Sequence, residues 1–160
     1  MPMSRKLKEY LESHKVHYEV LPHAEAHSAA EVAQAVHTPA QELAKVVMVK
    51  VEGRFVMTVL PATWKVDLHR LREVFATNDV RLAAEDEFKG LFPDCDLGAM
   101  PPFGNLYGLA VYVDRSLAED EQIVFEGGSH SEAVRMRYAD FATLVQPRVE
   151  EFHRSPSKVW

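Results

Sequence analysis

At 160 residues, 47% of them hydrophobic and 26% charged, the chain has the size and balance of one globular domain with its own core. Its net charge of −6 argues against a protein that grips long nucleic acid or DNA through a basic face, although an enzyme that holds one terminal nucleotide needs only a few local cations. No apolar run approaches the ~18 residues of a membrane span, residues 1–9 lack the apolar centre of a signal peptide, and the lone Cys95 leaves no internal disulfide or cysteine-based metal cluster.

These priors predict a cytoplasmic protein that does not engage membranes. Leu7, Tyr10, Leu11 and His14 recur at helical spacing after Ser4, which predicts a helix over 4–14. Residues 17–21 alternate and end at Pro22, as a short strand would. Ser28-Ala29-Ala30-Glu31 has the form of a capping box, with Val32, Ala33 and Val36 continuing a helical face. Thr38-Pro39-Ala40-Gln41 restarts a second short helix. Residues 45–51 and 54–60, both β-rich, flank Glu52-Gly53 and predict a hairpin inside a sheet covered on both faces. Leu68, Leu71, Val74 and Phe75 mark a helix after Asp67.

Residues 80–82 read as a short strand and 85–91 as a helix, with Phe88 and Leu91 inward. Residues 95–104 form a loop. Strands are expected over 109–114, 122–126 and 133–137, with Gly127-Gly128 as a turn, and a helix over 138–145. The remainder, 147–160, reads as a polar, loosely held tail on a domain of residues 1–146. The sum is an α/β fold of the α+β type: one compact domain on a mixed, largely antiparallel sheet covered by helices.

Standard catalytic signatures are missing. There is no Gly-x-Ser-x-Gly elbow, P-loop, dinucleotide fingerprint or His-Glu-x-x-His. The eight histidines, at 14, 17, 23, 27, 37, 69, 130 and 153, show no paired metal-ligand spacing. Neither a metal nor a cofactor is expected. Three local features remain. If the two-residue turn sets the register, Lys45 pairs with Leu60 and shares a face with Val47 and Val49. A lysine there is either a strand-end side chain that snorkels to water or a cation at the mouth of a pocket. Gly98-Ala99-Met100-Pro101-Pro102-Phe103-Gly104 is stiff yet open to close backbone approach; it is either a tight turn or a loop that aims amides at an oxyanion. His130, in Gly127-Gly128-Ser129-His130-Ser131, is either a turn histidine or a substrate contact. Cys95 has no histidine placed beside it and reads as structural.

In this order the features resemble a known family. The run from Leu43 to Lys50, then Leu60-Pro61-Ala62 and Val66-Asp67-Leu68, is similar to the YbaK family and to the editing domain inserted in bacterial prolyl-tRNA synthetases. The segment 98–104 resembles that family's Gly-x-x-x-Pro loop, with Gly98 and Pro102 at the defining positions. Residues 109–114, Gly128-Ser129-His130 and the Tyr138-Ala139-Asp140-Phe141 helix also fit, so the match runs over residues 4–146.

The resemblance implies hydrolysis of mischarged aminoacyl-tRNA, acting in trans, with a small amino acid such as Ala or Cys on tRNA-Pro as the substrate. It implies Lys45 and Gly98 as the catalytic groups, and Ala99, Met100, Pro101, Pro102, Phe103, Gly104 and His130 as substrate contacts. Lys45 would anchor the terminal phosphate, and the Gly98 region would polarise the ester carbonyl. The expected partners are the acceptor end of a mischarged tRNA and an aminoacyl-tRNA synthetase. Two other readings compete: a module that binds aminoacyl-adenosine ends or nucleotides without turnover, and an esterase indifferent to adenosine.

Overall fold

The computed structural model describes residues 2–26 and 28–154; His27 and the end of the expected tail, 155–160, lie outside them. Helix α1 (Arg5–Ser13) starts where the hydroxyl of Ser4 accepts the Leu7 amide at 3.2 Å, and it buries Leu7 and Leu11 completely. Strand β1 (Tyr18–Pro22) follows, then α2 (Ala29–Ala35), whose Ser28 cap accepts the Glu31 amide at 3.1 Å. The second helix expected after Pro39 is a single 3-10 turn, Ala40–Glu42.

The hairpin forms as expected. Strands β2 (Ala44–Val51) and β3 (Arg54–Pro61) pair antiparallel with Lys45 opposite Leu60, Val47 opposite Thr58 and Val49 opposite Val56. Glu52 and Gly53 both have positive φ, 49° and 81°, the backbone of a turn whose twist matches the strands it joins. Alternation then sorts the side chains. Ala44 and Met48 face the main core, with Met57 and Val59; Val49, Val56 and Leu60 face a second apolar cluster.

The rest of the chain completes both layers. After β4 (Lys65–Val66), α3 (Leu68–Phe75) is capped by Asp67, which accepts the amides of His69 and Arg70, and it buries Leu71 in the second cluster. Then come β5 (Val80–Leu82), the short helix α4 (Glu85–Phe88) with a 3-10 extension, β6 (Val111–Asp114), α5 (Arg115–Ala118), β7 (Gln122–Ser129), β8 (Glu132–Arg137), α6 (Tyr138–Val145), β9 (Arg148–Glu150) and β10 (His153–Arg154).

The strands form a five-stranded sheet in the order β5-β2-β3-β6-β9, a three-stranded sheet β1-β8-β7 and a two-stranded pair β10-β4. Five of the described pairings are antiparallel and two, β3 with β6 and β6 with β9, are parallel. Helix α3 lies over one face of the large sheet. The other face meets α1, α6 and the three-stranded sheet around Phe103, Phe125 and Phe141. A parallel bridge between Leu43 and Val124 joins the two larger sheets.

Two expectations fail. Gly127-Gly128 is not a turn: it lies within β7 at a register shift between Glu126 and Ser129, and His130-Ser131 make the turn. The Gly127 carbonyl there accepts the Ser4 amide at 2.8 Å, so the irregularity receives α1. The stretch after Pro147 is not a loose tail as far as Arg154. β9 adds to the edge of the large sheet, and Phe152 is fully buried in the second cluster. Asp114 fixes this segment. It is wholly buried, and one of its oxygens accepts the amides of Phe152 at 2.9 Å and His153 at 3.1 Å. Burial alone would raise its carboxyl, but these bonds, with those from Ser116 and His153, hold it below the usual range. Sequence reading missed the segment because one phenylalanine between charged residues has no periodicity to detect.

We predict that Phe152→Ala destabilises the protein by about 3–5 kcal/mol, a loss of roughly 10 °C or more in Tm for a domain of this size. Thermal unfolding followed by circular dichroism measures it. A shift of about 2 °C or less would mean that this segment does not belong to the core.

Candidate active site

The junction of the two larger sheets leaves a cavity of about 170 Å³. Its floor is apolar, with Val32 from α2, Leu43 and Ala44 at the start of β2, and Ala62 just past β3. Four residues singled out in the sequence meet on its walls: Lys45, Gly98, Met100 and His130. They come from three distant segments, so no local motif could have shown their convergence.

Lys45 is half-buried at the end of β2 away from the turn. Its ammonium is pushed below the ordinary lysine value by burial first and then by the neighbouring charge of Lys65. Among the described residues no carboxylate is paired with it. Lys50, on the opposite face of the same strand, reaches Glu87 at 3.3 Å. Lys45, which lines the cavity, thus has no carboxylate partner among the described residues, while Lys50 is matched.

The Gly98 loop is held from behind. Asp96 donates its amide to the Gly128 carbonyl at 2.9 Å, and Gly128 donates to the Ala99 carbonyl at 2.8 Å. His130 Nε2 lies 2.8 Å from the Leu97 carbonyl, which can only accept. Nε2 therefore carries the proton in that bond. Gly98 has φ of 84°, where any side chain is strained. Its amide points at the sulfur of Met100, 3.3 Å away. A thioether is a weak acceptor, so a carbonyl oxygen arriving in the cavity would replace it at little cost.

The remaining loop residues support the site from outside the cavity. Ala99, Pro101 and Pro102 are buried. Phe103 belongs to the main core, with ring centroids 5.6 Å from Phe125 and 5.4 Å from Phe141. Gly104 packs under β6, where a Cβ would come within 2.7 Å of Val111. These five residues, expected as substrate contacts, pack against the protein, and none of them lines the cavity.

Sequence reading overlooked Glu126, which lines the same cavity. Its Oε1 lies 2.9 Å from Nε2 of His23, whose side chain is 1% exposed, and its Oε2 is buried with no hydrogen-bond partner among the described residues. His23 Nδ1 sits 2.7 Å from the Ala24 carbonyl and must donate to it. The contact with Glu126 then needs one further proton shared by the pair. Burial pushes the Glu126 carboxyl up, partly offset by the bond and charge of His23. A signal did exist: Glu126 continues the face of Val124 on β7, just as Lys45 continues that of Val47 on β2. Cys95 is not a nucleophile candidate, since burial pushes its thiol up to about 11. Among the described residues no three His, Cys, Asp or Glu side chains are grouped to hold a metal ion, and no helix is long and apolar enough to cross a membrane.

The cavity can therefore take a small apolar group, place an anion beside Lys45 and offer the Gly98 amide to an oxygen. Comparison with known proteins agrees with that chemistry. The profile of the aminoacyl-tRNA editing domain matches residues 23–144. The multifunctional Ser/Thr-tRNA deacylase ProXp-y of Escherichia coli is 30% identical over 117 residues, covering 70% of each chain. The proline–tRNA ligase of Staphylococcus saprophyticus is 30% identical over 110 residues, which are 65% of this chain but only 19% of that much longer enzyme. A crystal structure of a candidate trans-editing enzyme for prolyl tRNA synthetase superposes with a TM-score of 0.82 over 97% of this chain and 99% of that one, at 22% identity. The chain belongs to the aminoacyl-tRNA editing domain family, a family of aminoacyl-tRNA hydrolases.

Proposed function

We propose that this protein hydrolyses, in trans and in the cytoplasm, the ester between a mischarged tRNA and a small amino acid. The observation that supports it best is the convergence of Lys45, Gly98, Met100 and His130 on one cavity. An aminoacyl ester is already activated, so orientation and stabilisation of the oxyanion supply much of the acceleration. Lys45 would hold the phosphate of the terminal adenosine. The Gly98 amide would leave Met100 Sδ and donate to the carbonyl oxygen as it becomes tetrahedral. Water, its proton taken up with the help of a hydroxyl of the substrate itself, would attack the carbonyl carbon; the bond to the tRNA 3′ oxygen then breaks, and that oxygen leaves with the proton that the water gave up. His130 keeps the Gly98 loop in place through Leu97.

The volume of about 170 Å³ favours side chains no larger than a few heavy atoms. Ala and Cys on tRNA-Pro are the first candidates. The name of the ProXp-y relative adds Ser and Thr, and the polar groups of Ser28 and Glu126 on the cavity wall suit a hydroxyl. Size alone discriminates by only about 1–3 kcal/mol per methylene, so several small amino acids should be accepted. The ligase relative supports a prolyl-tRNA synthetase as a functional partner.

Deacylation of a panel of tRNAs charged with Ala, Cys, Ser, Thr and Pro tests this reading. Turnover of at least one small amino acid is expected. Saturable binding with no turnover would instead make the protein a binding module, and equal turnover of simple esters would make it a general esterase.

Lys45→Ala should lose activity by about a hundredfold or more, near 2.7 kcal/mol of transition-state free energy, while its Tm stays within a few degrees of the unmodified protein. Lys50→Ala is the control and should keep most activity. Equal losses would reduce Lys45 to one of many charges that attract tRNA. Gly98→Val should lower the single-turnover rate at least tenfold, near 1.4 kcal/mol, because the new side chain strains a backbone held at positive φ. A folded Gly98→Val protein with a normal rate would show that the loop only turns the chain.

A further inference from the structure

Lys45 lines a second cavity as well. On its other side a groove of about 540 Å³ runs between β4, α3 and the end of β10, walled by Lys65, Arg72 and Arg154 with Val47 and Leu82 between them. In a chain of net charge −6 this concentration of cations runs against the overall sign. Among the described residues the only carboxylate on its walls is Asp67, and that group is engaged: one oxygen accepts the amides of His69 and Arg70, and the other lies 3.9 Å from Arg70.

The pairing of β4 with β10 is the telling feature. It places Lys65 directly opposite Arg154. Like charges at such a position destabilise a strand pair, and neither side chain is paired with a carboxylate among the described residues. Both side chains are exposed. The arrangement makes sense when an anion sits between them. Arg72 points the same way but spends one nitrogen on the Val80 carbonyl at 3.3 Å, so it adds charge to the groove wall rather than a free fork.

We propose that this groove binds the sugar-phosphate backbone of the unpaired 3′ end of an RNA, with phosphates seated at Lys65 and Arg154. The proposal rests on the hydrolase reading for its direction: Lys45, shared by both cavities, would hold the last phosphate while the ester enters the smaller one. The strand leading up to that phosphate then has to leave past Lys45, and the groove is the cationic path that begins there. It would also explain how an acidic protein holds a polyanion: the contacts are few and set in line with the site.

The test uses the full chain, its K65E/R154E variant and R5E/K8E as a control with the same change in charge on exposed positions of α1. The first probe is a fluorescein-labelled, uncharged RNA hairpin with an unpaired 3′ tail, and its blunt-ended form, followed by fluorescence anisotropy over a range of salt. The second is hydrolysis of mischarged tRNA beside 3′-aminoacyl-adenosine that carries no phosphate. K65E/R154E should bind the tailed hairpin at least tenfold more weakly, with a log–log salt slope shallower by about 1.4, the value for two single-strand phosphate contacts. The blunt hairpin should bind weakly to every form. Hydrolysis of tRNA should fall at least tenfold in kcat/KM, and that of aminoacyl-adenosine should stay within twofold. R5E/K8E should match the unmodified protein in every assay. Unchanged binding of the tailed hairpin by K65E/R154E, or equal weakening by R5E/K8E, would overturn the groove and leave the hydrolase reading standing. Tail-dependent binding that K65E/R154E abolishes, in a protein that hydrolyses neither substrate, would support the groove and sink the hydrolase reading.

Discussion

Everything in the candidate site depends on the register of one hairpin. The turn at Glu52-Gly53 closes β2 on β3 with no residue to spare, and the pairing it fixes runs from Val51 opposite Arg54 to Ala44 opposite Pro61. A slip of one residue would send Lys45 into the main core with Met48 and bring Val46 to the other face. Both faces of these strands are buried under different clusters, so neither slip has anywhere to put its side chains. The position of the lysine is thus enforced along the whole hairpin, by apolar contacts far from any chemistry.

The local features of the fold were legible in the sequence. Ser4 and Asp67 announced their helices because a side-chain oxygen beside the first turn satisfies amides that nothing else can reach. The hairpin was legible because two-residue periodicity and a glycine turn agree. What escaped detection was set by distant partners. Gly127-Gly128 resembles a turn, but its neighbour is Ser4, more than a hundred residues earlier. The segment around Phe152 was hidden because its order comes from Asp114 and from the second cluster. The division of the strands between sheets depends on the bridge from Leu43 to Val124, which has no signature of its own.

The same distinction applies to the site. Lys45, Gly98 and His130 could be named from short patterns and the family likeness, and the structure brings them to one cavity with Met100. The stretch from Pro101 to Gly104 carries the family pattern equally well, yet it packs inward. Residues that aim a loop and residues that face a ligand leave the same trace in sequence. Glu126 and His23 were passed over for the opposite reason: each is unremarkable alone, and only their 2.9 Å contact in a buried setting makes them a proton-sharing pair.

Lys45 borders both the apolar cavity and the cationic groove, and that has a thermodynamic consequence. A single ammonium cannot be fully committed to both sides, so the free energies of filling the two cavities are linked through it. By reciprocity, whatever one occupant does to the affinity of the other is returned in equal measure. Burial, and after it the repulsion from Lys65, lowers the proton affinity of Lys45; an anion in the groove would relieve the second of these, so occupancy on one side would alter the protonation of the group that serves the other. Filled as proposed, the two compartments of this small domain would behave as one binding polynomial, with the lysine as its cross term.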